Sequence, residues 1–252
     1  MTDLKGKSLI VTGGGSGIGE AMVELAAERG ALITVADRDE AQGEAVCARV
    51  RAAGGSVRFV RADISDAADV QAMAASAVEA YGRIDCAFNN AGIPNANIPF
   101  ADMPDEVFRR MQDINLTGTF LCMKHEIREM LKTGGGAIVN VSSTAAVSVI
   151  PNMGDYASAK AGLLGMTRAA ALDHGKQGIR VNAILPGPTL TPAFISGVKR
   201  FEGLEDYLAD RQPIGRLLQP REIAMAGLWL LSDEASCVTG IAMPVDGGLT
   251  IM

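Results

Sequence analysis

The chain contains few of the residue types that form disulfides, metal sites or aromatic cores. Of its 252 residues only 4% are aromatic, two are histidine and four are cysteine. The cysteines are widely scattered and form no Cys-x-x-Cys pair, which argues against a disulfide framework and a zinc site. We therefore expect a reduced protein without a metal, whose core is mostly aliphatic.

Basic charge and long apolar runs are also lacking. The formal net charge is −6 and no basic stripe or arm is present, so nucleic acid is not expected as a partner. The sequence has no run of about eighteen apolar residues, and its first residues lack the apolar stretch of a signal peptide. These features predict a cytoplasmic protein that neither crosses nor binds a membrane.

The sequence does contain a regular alternation of apolar, β-branched runs with Ala-rich helical stretches. The runs are continuously apolar, as in strands that are buried on both faces. This alternation predicts an α/β fold with a parallel sheet and helices on both of its faces. The predicted strands are 8–12, 32–36, 57–60, 84–88, 137–141, 180–184 and 241–245, and the predicted helices are 18–29, 40–53, 66–81, 104–112, 115–132 and 155–174.

No linker or charge block divides the chain, so we expect one domain over residues 1–252. The stretch from about 187 to 218 departs from the alternation, because it contains Pro188, Pro192 and Pro213 and only weak helical patches. A long irregular segment after the carboxyl end of a strand is typical of a lid over a binding site. An ordinary surface excursion is the alternative interpretation.

A glycine-rich turn, Thr12-Gly13-Gly14-Gly15-Ser16-Gly17-Ile18-Gly19, joins the first predicted strand to the first helix. Glycines let the backbone approach a pyrophosphate, and the helix N-terminus supplies amide donors. Asp37 ends the second strand, where a carboxylate can accept hydrogen bonds from a ribose 2′-hydroxyl. It would repel a 2′-phosphate by roughly 4 kcal/mol per unit charge at about 4 Å. The predicted cofactor is NAD, although Arg38 could grip a 2′-phosphate or stack on adenine.

A tyrosine and a lysine stand four residues apart on the predicted helix 155–174, so Tyr156 and Lys160 share one helix face. An ammonium about 4 Å from a phenol is worth roughly 4 kcal/mol, enough to lower the phenol pKa by about two to three units. We therefore expect a tyrosinate base at neutral pH. Ser143 precedes Tyr156 by thirteen residues and is the expected hydroxyl donor, and Ser142, on the opposite side of the strand, is the alternative.

Together these motifs resemble those of the short-chain dehydrogenase/reductase family, from about residue 4 to the C-terminal Asp-Gly-Gly. The resemblance implies a single Rossmann-like domain with a doubly wound, seven-stranded parallel sheet, usually in a homotetramer. The matching motifs are Thr12-Gly13-(x3)-Gly17-Ile18-Gly19, Asn89-Asn90-Ala91-Gly92, Asn115, Ser143 with Tyr156 and Lys160, Pro186-Gly187 with Thr191, and Asp246-Gly247-Gly248.

The resemblance also implies a role for each matching residue. Tyr156 would exchange a proton with the substrate oxygen, and Lys160 would lower the pKa of Tyr156 and hold the nicotinamide ribose. Ser143 would hydrogen-bond the substrate oxygen, and Asn115 would hold a water in a proton relay. The residues implied in cofactor binding are Gly13, Ser16, Gly17, Ile18, Gly19, Asp37, Arg38, Asp63, Ile64, Asn90, Tyr156, Lys160, Pro186, Gly187, Thr189 and Thr191.

Some of these roles have structural alternatives. Asn89 is expected only to tie a turn through side-chain to backbone bonds, whereas Asn90 would do this and also contact the cofactor ribose. Asn115 could instead be a polar residue at a helix start. Thr189 stands where the family more often has Val or Ile, so its side-chain contact with the cofactor is less certain than a backbone contact.

The reaction implied is hydride transfer between a secondary alcohol and NAD⁺, or the reverse reaction on a ketone. Residues 93–100, 144–153 and 188–211 are expected to line the pocket, and they are mainly apolar. We therefore expect a small, uncharged, largely apolar alcohol or ketone, with cyclic compounds among the candidates. One alternative is an NADPH-type 3-oxoacyl-thioester reductase, which Asp37 and the acidic charge disfavour. The other is a catalytically silent, cofactor-binding regulatory protein, which the intact trio disfavours.

Overall fold

Seven parallel strands form one sheet in the order β3-β2-β1-β4-β5-β6-β7. The computed structural model describes residues 3–198 and 203–251. The strands are β1 (Ser8–Thr12), β2 (Leu32–Asp37), β3 (Ser56–Arg61), β4 (Cys86–Asn89), β5 (Gly136–Val141), β6 (Ile179–Pro186) and β7 (Ala242–Val245). All seven predicted strands are present, with ends that differ by up to two residues. The fold is the predicted doubly wound, Rossmann-like α/β domain.

Helices cover both faces of the sheet, because neighbouring side chains of each buried strand point to opposite faces. Leu9 and Val11 of β1 belong to one apolar core, and Ile10 between them belongs to the other. The helices are α1 (Gly17–Glu28), α2 (Glu40–Ala52), α3 (Ala67–Tyr81), α4 (Asp105–Gln112), α5 (Thr119–Lys132), α6 (Gly154–His174), α7 (Pro192–Val198), α8 (Leu204–Asp210) and α9 (Pro220–Leu231). Helices α1, α2 and α9 pack in the first core, and α3 and α5 pack in the second.

Helix α9 is missing from the sequence-based prediction, although its start carries recognisable signals. Pro220 occupies the first helical position, and the Glu222 side chain accepts a hydrogen bond from the backbone N–H of Gln219. Ile223, Leu228 and other apolar residues of α9 are buried against α1. The predicted helix 115–132 also differs, since a π-helical segment, Asp113–Gly118, joins α4 to α5 without a break.

The strand order places the site. The chain moves outward from β1 to β2 and β3, then returns to β4 on the other side of β1. In such open sheets, ligands bind outside the carboxyl ends of the strands at this reversal. The segments that follow β1, β4, β5 and β6 therefore meet along one edge. Within the described residues, no helix has the length and apolar character to cross a membrane.

Candidate active site

The turn between β1 and α1 is shaped by glycines that no other residue could replace without movement. Gly13 and Gly17 have φ angles of +64° and +57°, which L-residues with a side chain rarely adopt. A Cβ at Gly13 would lie 2.8 Å from the Cα of Ala91, and one at Gly19 would overlap the carbonyl of Gly13. The turn therefore presents bare backbone next to the residues that follow β4.

The same turn has the donor set that suits a pyrophosphate. Ser16 is the N-cap residue of α1, but its side chain makes no capping hydrogen bond. The Ser16 side chain therefore leaves the first amides of α1 free of its own cap, at the positive end of the helix dipole. A phosphate group fits such a helix start, and the missing Cβ atoms let it approach. The residues present thus fit a dinucleotide, with Gly17, Ile18 and Gly19 in the first turn.

Asn90 holds the glycine-rich turn in place. Its Nδ2 donates hydrogen bonds to the carbonyl oxygens of Thr12 and Gly13, at 3.3 and 3.0 Å. In return the Thr12 hydroxyl oxygen accepts from the backbone N–H groups of Asn90 and Ala91, at 3.1 and 3.2 Å. These contacts supply the turn-binding half of the role expected for Asn90.

Asp37 also contacts the glycine-rich turn. One carboxylate oxygen accepts from the Gly15 N–H at 2.9 Å, and the other accepts from the Asp39 N–H at 3.0 Å. Its neighbour Arg38 is exposed, and its charge is one of the smaller influences that lower the pKa of Asp63. Hydrogen bonds from Ser65 are the main cause of that lowering.

Asp63 and Ile64, two of the residues that the family resemblance implies in cofactor binding, lie beyond the end of β3. The Asp63 carboxylate accepts from the Ser65 hydroxyl at 2.6 Å and from the Ser65 N–H at 2.9 Å. The Ile64 side chain is buried and lies against Gly118 of the π-helical segment. Only the backbone of Ile64 is therefore suited to contact a cofactor.

Ser143 and Ser142 face different parts of the molecule, as strand alternation requires. The buried Ser142 hydroxyl donates to the backbone carbonyl of Lys160 at 2.8 Å and so ties the end of β5 to α6. Ser143 hydrogen-bonds the side chain of Tyr156, and its oxygen also accepts from the Ala145 N–H at 3.1 Å. Of the two serines, Ser143 is the one beside the phenol.

Lys160 lies under Tyr156 on the same face of α6. Its Nζ is 5.6 Å from the centre of the Tyr156 ring and donates to the Val141 carbonyl at 2.8 Å. Burial lowers the pKa of Lys160 to about 8. Because the side chain is almost fully buried, the ammonium leaves water to reach this position, which disfavours its charged form.

The pKa of Tyr156 differs from the sequence-based expectation. Burial raises the pKa of Tyr156, and the hydrogen bond with Ser143 only partly offsets that effect. The expected net lowering of the phenol pKa is therefore wrong for the protein without its cofactor, since the pKa of Tyr156 lies above its ordinary value. The packing that brings the ammonium near the ring also removes the phenol from water, and this desolvation is the larger effect.

Asn115 is fully buried within the π-helical segment, not at a helix start. Its side chain binds Ile93 at both backbone groups: Oδ1 accepts from the Ile93 N–H at 2.8 Å, and Nδ2 donates to the Ile93 carbonyl at 2.9 Å. Its own carbonyl accepts from the Thr119 hydroxyl at 3.1 Å. Such wide helical turns are frequent at functional sites, and this one aims an amide at the segment after β4.

The segment that follows β6 contacts the glycine-rich turn. Thr191 lies against Gly17, since a Cβ at Gly17 would be 3.1 Å from the Thr191 methyl group. The Thr189 side chain is buried and its hydroxyl donates to the Gly187 carbonyl at 2.8 Å. The Thr189 hydroxyl is therefore committed to its own turn. Pro186 is the last residue of β6 and pairs with Val245 of β7.

Both ends of the segment 187–218 rest on the turn Asp246–Gly248. At the first end, a Cβ at Gly187 would lie 2.9 Å from the Cα of Asp246. At the other, the Ile214 N–H donates to the Gly247 carbonyl at 3.2 Å, and Pro213 covers Gly248. Within the segment, α7 and α8 replace the expected weak helical patches, and residues 199–202 of the predicted pocket wall lie outside the described residues.

A buried polar network was not anticipated from the sequence. The Asn89 Nδ2 donates to the Glu126 carboxylate at 3.0 Å and to the Asn140 Oδ1 at 3.2 Å. Asn140 in turn donates to the Thr167 hydroxyl at 2.9 Å. The expectation that Asn89 ties a turn through backbone bonds is therefore wrong. Burial raises the pKa of Glu126 to about 7, the hydrogen bond from Asn89 opposing the rise.

Exposed apolar side chains lie on the segments that follow β5 and β4. Val147, Val149 and Ile150 are 57%, 60% and 55% exposed, and they follow Ser143 closely in the chain. Phe100, 78% exposed, lies against Gly154 at the start of α6. Val147, Val149 and Ile150 thus lie on the segment between Ser143 and the start of α6, the helix that carries Tyr156.

Comparison with known proteins agrees with this geometry. Residues 13–250 match a family model described as enoyl-(acyl carrier protein) reductase. The chain is 50% identical to 2,5-dichloro-2,5-cyclohexadiene-1,4-diol dehydrogenase of Sphingobium indicum, over 99% of each chain. It is 42% identical to cis-4-hydroxycyclohexanecarboxylate dehydrogenase of Sinomonas cyclohexanicum, over 96% of this chain and 95% of that one. A crystal structure of a short-chain type dehydrogenase/reductase from Mycobacterium marinum superposes with a TM-score of 0.93 at 32% identity, over 99% and 98% of the two chains.

Proposed function

Because the chain belongs to the short-chain dehydrogenase/reductase family, we propose that it is an NAD-dependent dehydrogenase of small, largely apolar cyclic secondary alcohols, acting on the ketones in reverse. Its membership makes it an oxidoreductase that uses a nicotinamide cofactor. The observation that carries the proposal is the meeting of Ser143, Tyr156 and Lys160 after β5, on the same edge of the sheet as the glycine-rich turn.

The preference for NAD rests on Asp37. Its carboxylate stands at the end of β2 and touches Gly15 of the glycine-rich turn, so a 2′-phosphate bound there would meet a negative charge. At about 4 Å the repulsion is roughly 4 kcal/mol per unit charge, or about a thousandfold in affinity. We assign Arg38, which is exposed beside Asp37, to stacking on the adenine rather than to binding a phosphate.

The cofactor supplies the hydride acceptor or donor and, in its oxidised form, a positive charge. Tyr156 accepts the alcohol proton at its phenol oxygen during oxidation and returns it during reduction. Ser143 holds the substrate oxygen and stabilises the charge that develops on it. Lys160 favours the ionised phenol electrostatically. Asn115, in the π-helical segment, supports a path for the proton toward solvent. Burial raises the pKa of Tyr156, so these charges must offset the desolvation of the phenol.

The substrate class rests on the apolar surface and on the relatives. Val147, Val149 and Ile150 offer contacts to a hydrocarbon ring rather than to an anion. Both relatives are named for hydroxylated six-membered rings. We propose that residues 187–218 act as the lid over this ring. A homotetramer and a cytoplasmic location remain predictions from the sequence.

The alternatives are less well supported. A 3-oxoacyl-thioester reductase that uses NADPH would have to accommodate a 2′-phosphate at Asp37. A catalytically silent regulatory protein would have no need to keep Ser143 against the phenol and Lys160 beneath it. The matching family model is described as an enoyl-(acyl carrier protein) reductase, but the relatives that are 50% and 42% identical are named for cyclic alcohols, and these support the proposal.

The test is a panel of cyclic and open-chain secondary alcohols with NAD⁺ or NADP⁺, followed by the absorbance of the reduced nicotinamide. We expect turnover of cyclohexanol-like alcohols with NAD⁺ and loss of about a thousandfold in kcat in Tyr156→Phe. Binding of NADH, measured by fluorescence, should stay as in the parent because the ring is retained. Parent-like turnover in Tyr156→Phe would contradict the proposed mechanism.

A further inference from the structure

Asp155, the residue directly before Tyr156, is a carboxylate with no exposed surface. An acidic residue is favoured in the first turn of a helix, but the helix dipole alone gives no reason to bury it. Among the described residues, no Lys, Arg or His lies within ion-pair distance of its carboxylate. Burying a charge without a cation is costly unless hydrogen bonds replace its water. The position therefore requires a specific set of donors.

Backbone amides from two parts of the chain supply these hydrogen bonds. One oxygen of Asp155 accepts from the N–H of Tyr156 at 2.8 Å, and the other accepts from the N–H of Ala96 at 3.1 Å. An asparagine has a single acceptor oxygen and would turn its NH₂ group toward one of these donors. The geometry thus specifies aspartate and joins the start of α6 to the segment after β4.

The segment that Asp155 holds is residues 93–99, which form no helix or strand. It is fixed a second time at Ile93, by both groups of the Asn115 side chain. The two anchors lie three residues apart and come from different helical elements, α6 and the π-helical segment. A third contact joins α6 to the end of α4, directly before the π-helical segment: Gln112 Nε2 donates to the Asp155 carbonyl at 3.0 Å and to the Ser158 hydroxyl at 2.9 Å.

We infer that Asp155 is a positioning residue that fixes residues 93–99 as a rigid wall of the substrate pocket, at a set distance from the Tyr156 phenol. The inference deepens the proposed function and rests on Tyr156 being the acid/base. A fixed wall selects compact, rigid rings because a flexible chain loses more conformational freedom in a pocket that does not adapt. Asp155 would therefore act on substrate shape, whereas Ser143, Tyr156 and Lys160 act on the reacting oxygen.

The test compares two alcohols of equal carbon number, cyclohexanol and 2-hexanol, in the full-length parent and in Asp155→Asn. We expect the ratio of kcat/KM between ring and open chain to fall about tenfold, mainly through a higher KM for cyclohexanol. The kcat for cyclohexanol should stay within about threefold, since the reacting groups are intact. The matched control is Asp105→Asn, which removes an exposed acid from the first turn of α4 and should leave the ratio unchanged.

A second variant breaks the same bond from the other side. Ala96→Pro removes the loop N–H, so it should lower the ratio as Asp155→Asn does, and the double variant should add little to either. Hydrogen exchange at residues 93–97 gives a readout that needs no turnover, and it should be faster in both variants. A lower melting temperature with unchanged ratio and unchanged exchange would show a merely structural role and overturn the inference.

The outcomes also separate this inference from the proposed function. If the parent turns over no alcohol in the panel, the proposed function fails, and exchange at residues 93–97 alone decides whether Asp155 holds the segment. If the parent is active and the ratio is the same in Asp155→Asn, the inference fails and the proposed function stands.

Discussion

The two halves of the site are made from different parts of the polypeptide. The half around β1 and α1 is made of backbone: Gly13, Gly17 and Gly19 occupy places where a Cβ would clash or strain the chain. The half around β5 and α6 is made of buried or partly buried side chains, Tyr156 and Lys160 among them. In the first half, therefore, a substitution acts by adding atoms. In the second half, it acts by removing a functional group or by changing its charge.

This difference explains why the pKa values of the second half were harder to anticipate. The glycine-rich turn depends on the absence of Cβ atoms, and this absence can be read directly from the sequence. A phenol beside an ammonium is subject to opposing effects, because attraction by the cation favours ionisation and burial opposes it. Burial is the larger effect on both partners, raising the pKa of Tyr156 and lowering that of Lys160 to about 8.

The largest effect is expected in the first half, from the Asp37 carboxylate that contacts the glycine-rich turn. Asp37→Ala removes the charge that would repel a 2′-phosphate, so the preference for NAD over NADP should fall by up to about a thousandfold. Dissociation constants for NADH and NADPH, from fluorescence titration, measure the change. The control is Asp39→Ala, which removes the N-cap of α2 two residues later and should leave the preference unchanged. An unaltered preference in Asp37→Ala would contradict the assignment.

In the second half, substitutions of two adjacent serines distinguish an effect on catalysis from an effect on stability. Ser143→Ala removes the hydroxyl beside Tyr156, and kcat should fall by about a hundredfold, as for the loss of one oxyanion donor. Ser142→Ala removes a bond between β5 and α6, so it should lower stability by about 1 kcal/mol with kcat nearly intact. Steady-state kinetics and denaturant unfolding of both variants test this. The opposite pattern would make Ser142 the donor.

The smallest effect on activity is expected from the buried polar network that joins β4 and α5 to β5 and α6. Burial raises the pKa of Glu126 to about 7, from 4.5 in the unfolded chain. The folded state therefore holds the proton more tightly, and the resulting stability is present at low pH and is lost as the pH rises through about 7. Glu126→Gln should be nearly neutral at pH 4 and stabilising by roughly 3 kcal/mol at pH 8.

Denaturant unfolding of the parent and of Glu126→Gln at several pH values measures this dependence. Glu129→Gln is the matched control, three residues along α5, where the glutamate pairs with Lys132 near the surface. That substitution should change stability by no more than about 1 kcal/mol, with little pH dependence. Equal stability of the parent and Glu126→Gln at pH 8 would show that the carboxyl group is ionised without cost.

Much of the fold could be predicted because its signals are local. The strands are mostly apolar, β-branched runs, and the glycine-rich turn has a strand before it and a helix after it, so residue type alone specified both. Helix α9 had the same kind of signal, Pro220 with Glu222 two residues later, but it lay in a part of the chain where only the last strand had been identified. The family that these motifs indicated is confirmed by the comparisons.

What could not be predicted depends on long-range contacts. Glu126 stands between Lys124 and Arg128 in the sequence, a pattern that indicates a solvated helix face, yet it is buried against Asn89. Asp155 looks like an ordinary helix-start acid until the fold brings Ala96 to it. In both cases the partner lies more than thirty residues away, where no periodicity within one helix can reveal it.

The turn Asp246–Gly248 bears on the movement of the proposed lid, residues 187–218. The Asp246 carboxylate braces the turn by accepting from the Gly248 N–H at 3.0 Å and from the Thr250 N–H at 2.8 Å. Gly187 and Ile214 both contact this turn, so a shift of the turn would move both ends of the proposed lid together. If residues 187–218 act as the proposed lid, substitutions in the turn Asp246–Gly248 would change how fast reactants enter and leave the site.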